Sequence, residues 1–130
     1  MPMTRVLFPI VLLILFAGLG TGQSQKKADE CNDPQSQAEM NICAGKKYQA
    51  ADAKLNRTYR RLAAMLSGEQ KTQLKDAQTV WLKYRDANCL FVADEYKGGS
   101  IRPLIYASCL DDVTTNRTKE LEAQIEERTH

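Results

Sequence analysis

The sequence predicts an all-α protein: an antiparallel bundle of three long helices with two disulfides, after a cleaved signal peptide. Apolar residues recur at steps of three and four over long stretches, and helix-capping signals precede these stretches. No stretch shows the sustained period-two alternation of a half-buried strand. The length of 130 residues suits one domain.

Composition argues against several functional classes. The net charge is only +2 and no run of Lys or Arg exceeds two residues, which argues against a nucleic-acid partner. The single histidine, His130, is the last residue, a poor position for a general base. We therefore expect no catalytic residue, no metal site and no cofactor.

Residues 1–22 have the features of a secretory signal peptide. Arg5 precedes an uncharged run from Val6 to Gly20, and small residues follow up to Gly22. The run is shorter than a membrane span and is interrupted by Pro9. We expect cleavage after Gly22 and no membrane span afterwards.

The first cysteine, Cys31, follows charged residues rather than the apolar run, which argues against lipid attachment. The expected product is exported, periplasmic or secreted, and not lipid-anchored. Residues 23–35 are polar and read as a flexible lead-in, and residues 36–130 form the helical domain. We expect a monomer.

The first helix begins at a capping box formed by Ser36 and Glu39. Its predicted buried face is Met40, Cys43 or Ala44, Tyr48, Ala51, Leu55, Tyr59, Leu62 and Leu66. Gly68 interrupts this pattern.

A second box, Ser67 with Gln70, predicts the start of the second helix, and Gly98-Gly99 its end. The predicted face is Leu74, Ala77, Trp81, Tyr84, Ala87 or Asn88, and Phe91. Trp81 and Tyr84 are interpreted as core rather than as a binding surface.

The third helix is predicted to begin at Ser100, with Pro103 tolerated in its first turn. The predicted face is Leu104, Ala107 or Ser108, Leu110, Thr114, Arg117, Leu121 and Ile125. Arg117 is an unusual residue for an apolar face. Asp52 lies at a similar level on the first helix, so we expect a structural polar pair between Asp52 and Arg117.

Four cysteines in an exported chain indicate two disulfides, since no C-x-x-C pair suggests zinc. Cys89 and Cys109 lie ten residues either side of the second turn, at one level of an antiparallel pair. Cys43 lies near the same level, so Cys43–Cys89 is not excluded by level alone. We favour Cys31–Cys43 with Cys89–Cys109, because the former ties the lead-in to the first helix.

Several motifs together resemble a known family. They are Met40-Asn41-x-Cys43-Ala44, the run from Ala77-Gln78-x-x-Trp81 through Tyr84-Arg85-Asp86-Ala87-x-Cys89, and Gly98-Gly99-Ser100, followed by Cys109 with Thr114, Arg117 and Leu121. The chain is similar to the LprI-like lysozyme-inhibitor family of small exported bacterial proteins. The resemblance implies an all-helical disulfide-bonded domain that binds and inhibits lysozyme.

Two features are candidates for binding a protein partner such as lysozyme. The turn Gly98-Gly99-Ser100 could project into a cleft, and acidic residues of the third helix, Asp111 and Asp112 among them, could attract a basic partner. The alternative function is a non-catalytic adaptor or structural module that binds another component of the cell envelope.

Overall fold

The computed structural model describes residues 31–130, so the predicted signal peptide lies outside the described residues. Three helices follow one another: α1 (Gln37–Met65), α2 (Gly68–Asp94) and α3 (Arg102–Thr129). Short connections make the bundle run up, down and up. The described part of the chain is 84% helical and has no strands, which confirms the predicted fold class. None of its helices is apolar enough over a sufficient length to cross a bilayer.

The three helix starts differ in how they are capped. The first capping box is present: the Ser36 hydroxyl accepts from the Glu39 amide at 3.2 Å, and the Glu39 carboxylate accepts from the Ser36 amide at 3.2 Å. The box predicted at Ser67 is wrong, since its side chain makes no capping hydrogen bond. Gly68, the first residue of α2, has φ of 54°. This backbone conformation differs from that of a regular helix start, in which the cap hydroxyl accepts a hydrogen bond from the amide three residues later.

The predicted cap at Ser100 is also wrong. Ile101 occupies the N-cap position of α3, with no side-chain hydrogen bond, and Pro103 lies in the first turn as expected. The Ser100 carbonyl instead accepts from the Asn41 side chain of α1 at 3.1 Å. Ser100 therefore joins the turn to α1 rather than starting α3.

The aliphatic core occupies the half of the bundle near the α1–α2 connection. Its buried members come from α1 and α3, with partly buried residues from α1 and α2 packed around them: Leu55, Leu62, Leu121 and Ile125, surrounded by Tyr59, Leu66, Leu74 and Trp81. The packing of α3 is extensive against α1 and smaller against α2, and the backbones of α1 and α2 approach each other least.

The opposite half, near the α2–α3 turn, has smaller residues in its interior. These are Cys43, Ala44, Cys89, Ala93 and Ala107, with Leu110 as a larger exception. The two disulfides lie in this half and pair Cys31 with Cys43 and Cys89 with Cys109, as favoured from the sequence. Because small side chains bury little apolar area, the Cys89–Cys109 disulfide supplies much of the connection between α2 and α3 here.

Candidate partner-binding surface

The connection between α2 and α3 is an ordered, exposed turn. Backbone hydrogen bonds run from the Lys97 amide to the Asp94 carbonyl at 3.1 Å and from the Gly99 amide to the Tyr96 carbonyl at 3.0 Å. Gly98 has φ of 83°, a conformation that favours glycine. Gly98, Gly99 and Ser100 are all exposed, as a projecting element requires.

Two side-chain links hold this turn against the helices. Asp94, at the end of α2, forms an ion pair with Arg102, at the start of α3, at 2.7 Å. The hydrogen bond from Arg102 holds the pKa of the Asp94 carboxyl below its usual value. With the Asn41–Ser100 hydrogen bond and the nearby Cys89–Cys109 disulfide, the turn is fixed to all three helices.

Exposed aromatic and charged side chains surround the turn. Tyr96 is 41% exposed, and Lys97 is exposed at the turn itself. We call residues 96–100 the turn surface. It combines apolar contact area with one positive charge on a rigid support.

The acidic residues of α3 do not join the turn surface. Asp111 is partly buried and lines a cavity with Lys47 and Cys31 on the α1 side of α3, whereas Asp112 is exposed. Further along, Glu122 forms an ion pair with Lys54 at 3.0 Å. Basic residues of α1 thus lie beside the acidic side of α3. Their positive charges reduce the negative electrostatic potential that α3 can present to a basic partner.

A second polar arrangement lies inside the bundle, centred on Arg85 of α2. Its side chain is only 9% exposed and contacts Asp52 of α1 at 3.2 Å and Asp86 at 2.9 Å. The guanidinium also lies between two rings, 5.5 Å from the centroid of Tyr48 and 5.4 Å from that of Trp81. Arg85 thereby links α1 to α2 where the backbones are far apart.

The charges around Arg85 change two pKa values. Burial alone would lower the pKa of the Arg85 guanidinium, but the hydrogen bond with Asp86 and the surrounding charges together raise it. Burial raises the pKa of the Tyr48 phenol; the positive charge of Arg85 opposes this effect and the negative charge of Asp52 reinforces it. At neutral pH the site therefore holds a cation and a neutral phenol.

Arg117 of α3 also contacts the Trp81 ring. Its guanidinium is 5.9 Å from the Trp81 ring, donates to the Gln78 side chain at 3.1 Å and pairs with Glu120 at 2.7 Å. Rings and cations thus alternate in space across all three helices, in the order Tyr48, Arg85, Trp81 and Arg117. We call this series of contacts the cation–π ladder.

The ladder corrects the predicted pair of Asp52 with Arg117. Asp52 pairs with Arg85, and Arg117 with Gln78 and Glu120. The prediction compared α1 with α3 and omitted α2, whose Arg85 and Gln78 are the partners of Asp52 and Arg117. Arg85 was not predicted as a buried residue; its place one turn after Trp81 and one turn before the bridged Cys89 was the available signal.

The described residues contain no group of three or more His, Cys, Asp or Glu side chains that could hold a metal. All four cysteines are in disulfides, and His130 is exposed at the end of the chain. The arrangement is suited to contact with a partner through a rigid surface.

Comparison with known proteins agrees with this arrangement. A family model described as "Lysozyme inhibitor LprI" matches residues 28–121. The chain belongs to the LprI family. The matched region contains both disulfides, the turn and the whole cation–π ladder.

The relatives carry no further functional detail. An uncharacterised protein of Rhizobium meliloti (strain 1021) is 34% identical over 128 residues, covering 88% of this chain and 92% of the relative. No solved structure matches. LprI is an inhibitor family by description, and its two disulfides here fit an extracellular or periplasmic location.

Proposed function

We propose that this LprI protein is an exported, non-catalytic inhibitor that binds animal-type lysozyme. The observation that carries the proposal is the match to the lysozyme-inhibitor family over residues 28–121. Supporting it is the turn surface, which is exposed and anchored to all three helices. A rigid element loses little conformational entropy when it enters a partner's cleft.

The proposed contact places the turn at the lysozyme cleft, which is lined by carboxylates. Lys97 lies at the tip of the turn and is exposed, so its ammonium can approach those carboxylates while Tyr96 supplies apolar contact. Asp112 is a candidate for a longer-range attraction to the basic surface of the same partner. Asp111 is a weaker candidate because it is partly buried beside Lys47.

The test is a lysis assay with lysozyme and a peptidoglycan suspension. The full-length gene is expressed in a bacterium that exports the product, and the processed, oxidised protein is added in increasing amounts. Loss of lysis at micromolar protein supports the proposal. No loss at micromolar excess contradicts it and favours the envelope-adaptor alternative, which recovery of a resident envelope partner from membrane extracts would support.

Charge variants test which surface makes the contact. Lys97→Glu reverses the charge at the turn from positive to negative. We expect inhibition to weaken by about tenfold or more if the turn enters the cleft. Lys83→Glu makes the same charge change at an exposed position on α2 away from the turn and serves as the control. Equal effects of both variants would show that only net charge matters, and a selective effect of Asp112→Lys would move the contact to α3.

A further inference from the structure

One side of α2 exposes an apolar stripe that the bundle does not cover. Val80 is 67% exposed, Tyr84 58% and Phe91 75%, and the two alanines on the same side, Ala77 and Ala87, are exposed as well. We call these five residues the α2 stripe. Such a run of exposed large apolar side chains on one helix marks an interaction surface.

The stripe has the spacing of a helix–helix seam. Its members follow one another at steps of three, four, three and four, which is the a/d pattern of a coiled coil, with a positions at Ala77, Tyr84 and Phe91 and d positions at Val80 and Ala87. This pattern is separate from the buried side of α2, which contains Gln78, Arg85 and Cys89. The helix thus has one seam inside the bundle and a second one outside.

We propose that, in contrast to the monomer expected from the sequence, the α2 stripe binds a second copy of this chain in an antiparallel, two-fold symmetric dimer. In an antiparallel pair each a position faces a d position of the other helix. One register places Tyr84 against Ala87 of the second copy and Phe91 against Val80 of the second copy. Every aromatic ring then meets a smaller side chain, and symmetry repeats each contact.

Other alignments of the same stripe fit less well. A parallel pair would stack Tyr84 on Tyr84 and Ala87 on Ala87, which alternates crowded layers with gaps. The antiparallel register one heptad away brings Lys83 of both copies together beside the seam, an unfavourable contact between like charges. In the proposed register Lys83 lies near Leu90 of the second copy instead.

The available area suits a dimer of modest affinity. Taking roughly 200 Å² for an aromatic side chain, the exposed parts of Tyr84 and Phe91 and the three smaller residues provide about 400 Å² of apolar surface in each copy. Since homodimer interfaces are roughly two-thirds apolar, two copies would bury about 1,200 Å² in total. This lies at the lower edge of the range for specific interfaces, so the dimer will form at high protein concentration.

The proposal does not depend on lysozyme binding, which is assigned to the turn surface. Sedimentation equilibrium of the processed protein from about 10 µM to 1 mM tests it. We expect a concentration-dependent dimer and, on dilution, amide chemical-shift changes centred on residues 77–91. A monomer throughout this range would overturn the proposal.

Variants identify the surface. Phe91→Asp is expected to weaken self-association by at least tenfold, and Ile42→Asp, the same type of change at an exposed residue of α1, is expected to leave it unchanged. Thermal melts establish that both variants fold, and Tyr84→Lys provides a second change in the stripe. A dimer that persists in both stripe variants, or that Ile42→Asp weakens equally, would refute the assignment.

Discussion

Replacing Arg85 with methionine is the most informative test of how α2 is held to the bundle. Methionine has a similar length and packs well, so the change removes mainly charge and hydrogen bonds. It deletes ion pairs with Asp52 and Asp86 and two ring contacts, one of them to Trp81. We expect the free energy of unfolding to fall.

The expected loss of unfolding free energy follows from the solvent exposure of the two carboxylates that pair with Arg85. Breaking a fully buried pair costs roughly 3–5 kcal/mol because the remaining charge is stranded. Here the remaining carboxylates are accessible to water, with Asp52 37% and Asp86 54% exposed, so most of their charge can be hydrated after the change. The lost hydrogen bonds and cation–π contacts then dominate, and we expect a loss of about 2–3 kcal/mol.

Urea unfolding followed by tryptophan fluorescence measures this loss directly, since Trp81 is the only tryptophan and lies against Arg85. The melting temperature should fall by roughly 10–20 °C for a domain of this size. The control is Arg57→Met on the exposed side of α1, expected to stay within about 0.5 kcal/mol of the parent. If Arg85→Met is no more destabilising than this control, the ladder does not hold α2 and the reasoning is wrong.

The other predictions concern the turn half of the bundle and pH. Replacing Cys89 and Cys109 with serine should cost about 3 kcal/mol, measured as urea stability, and a loss under 1 kcal/mol would show that packing alone holds this half. Gly98→Ala should cost about 1 kcal/mol, because φ is 83° and no neighbouring atom clashes with the added carbon; an unchanged thermal melt would contradict this. Because burial raises the pKa of Tyr48, its stability contribution is complete below about pH 10 and is lost as pH rises through the folded-state value, so Tyr48→Phe should flatten the alkaline stability profile. The pKa of Asp94 is lowered by its hydrogen bond to Arg102, so its stability contribution is present above about pH 4 and is lost as pH falls through the folded-state value; an NMR titration midpoint at or above 4 would refute the pairing.

The sequence predicts α1 and α3 well because their buried faces are largely aliphatic. Leu55 and Leu62 of α1 and Leu121 and Ile125 of α3 recur at helical spacing, and all four are buried. Apolar periodicity is a direct consequence of burial, so it identifies such faces without knowledge of the neighbouring helices.

The sequence predicts the buried face of α2 only in part. Tyr84 and Phe91 were assigned to the core but are exposed, whereas Gln78 and Arg85 are buried. Apolarity fails here because polar side chains from α1 and α3 satisfy those buried groups, and a single sequence does not show that long-range pairing. Leu74 and Trp81, which pack around the aliphatic core, lie on the predicted side.

The predicted disulfide could have corrected the α2 face. A cysteine bridged to α3 must point into the bundle, so Cys89 fixes which side of α2 is internal. Counting back by one turn and two turns from Cys89 reaches Arg85 and then Trp81 or Leu82. A covalent constraint is therefore stronger information than hydrophobicity when the two disagree.

The buried polar residues of α2 and its exposed apolar stripe are two sides of one feature: this helix buries polar side chains and exposes apolar ones. Burying Gln78 and Arg85 uses specific hydrogen bonds and ion pairs, which define one arrangement of α2 against α1 and α3 but contribute less apolar burial. Exposing Val80, Tyr84 and Phe91 leaves apolar surface in water that a bundle organised for burial alone would cover. Natural sequences depart from local consistency mainly where a surface has another use, and an exposed heptad stripe is such a departure. Arg85→Leu alone tests this link. If the buried polar contacts fix which side of α2 faces the bundle, the variant should fold but self-associate less, whereas a dimer of unchanged affinity would separate the two features.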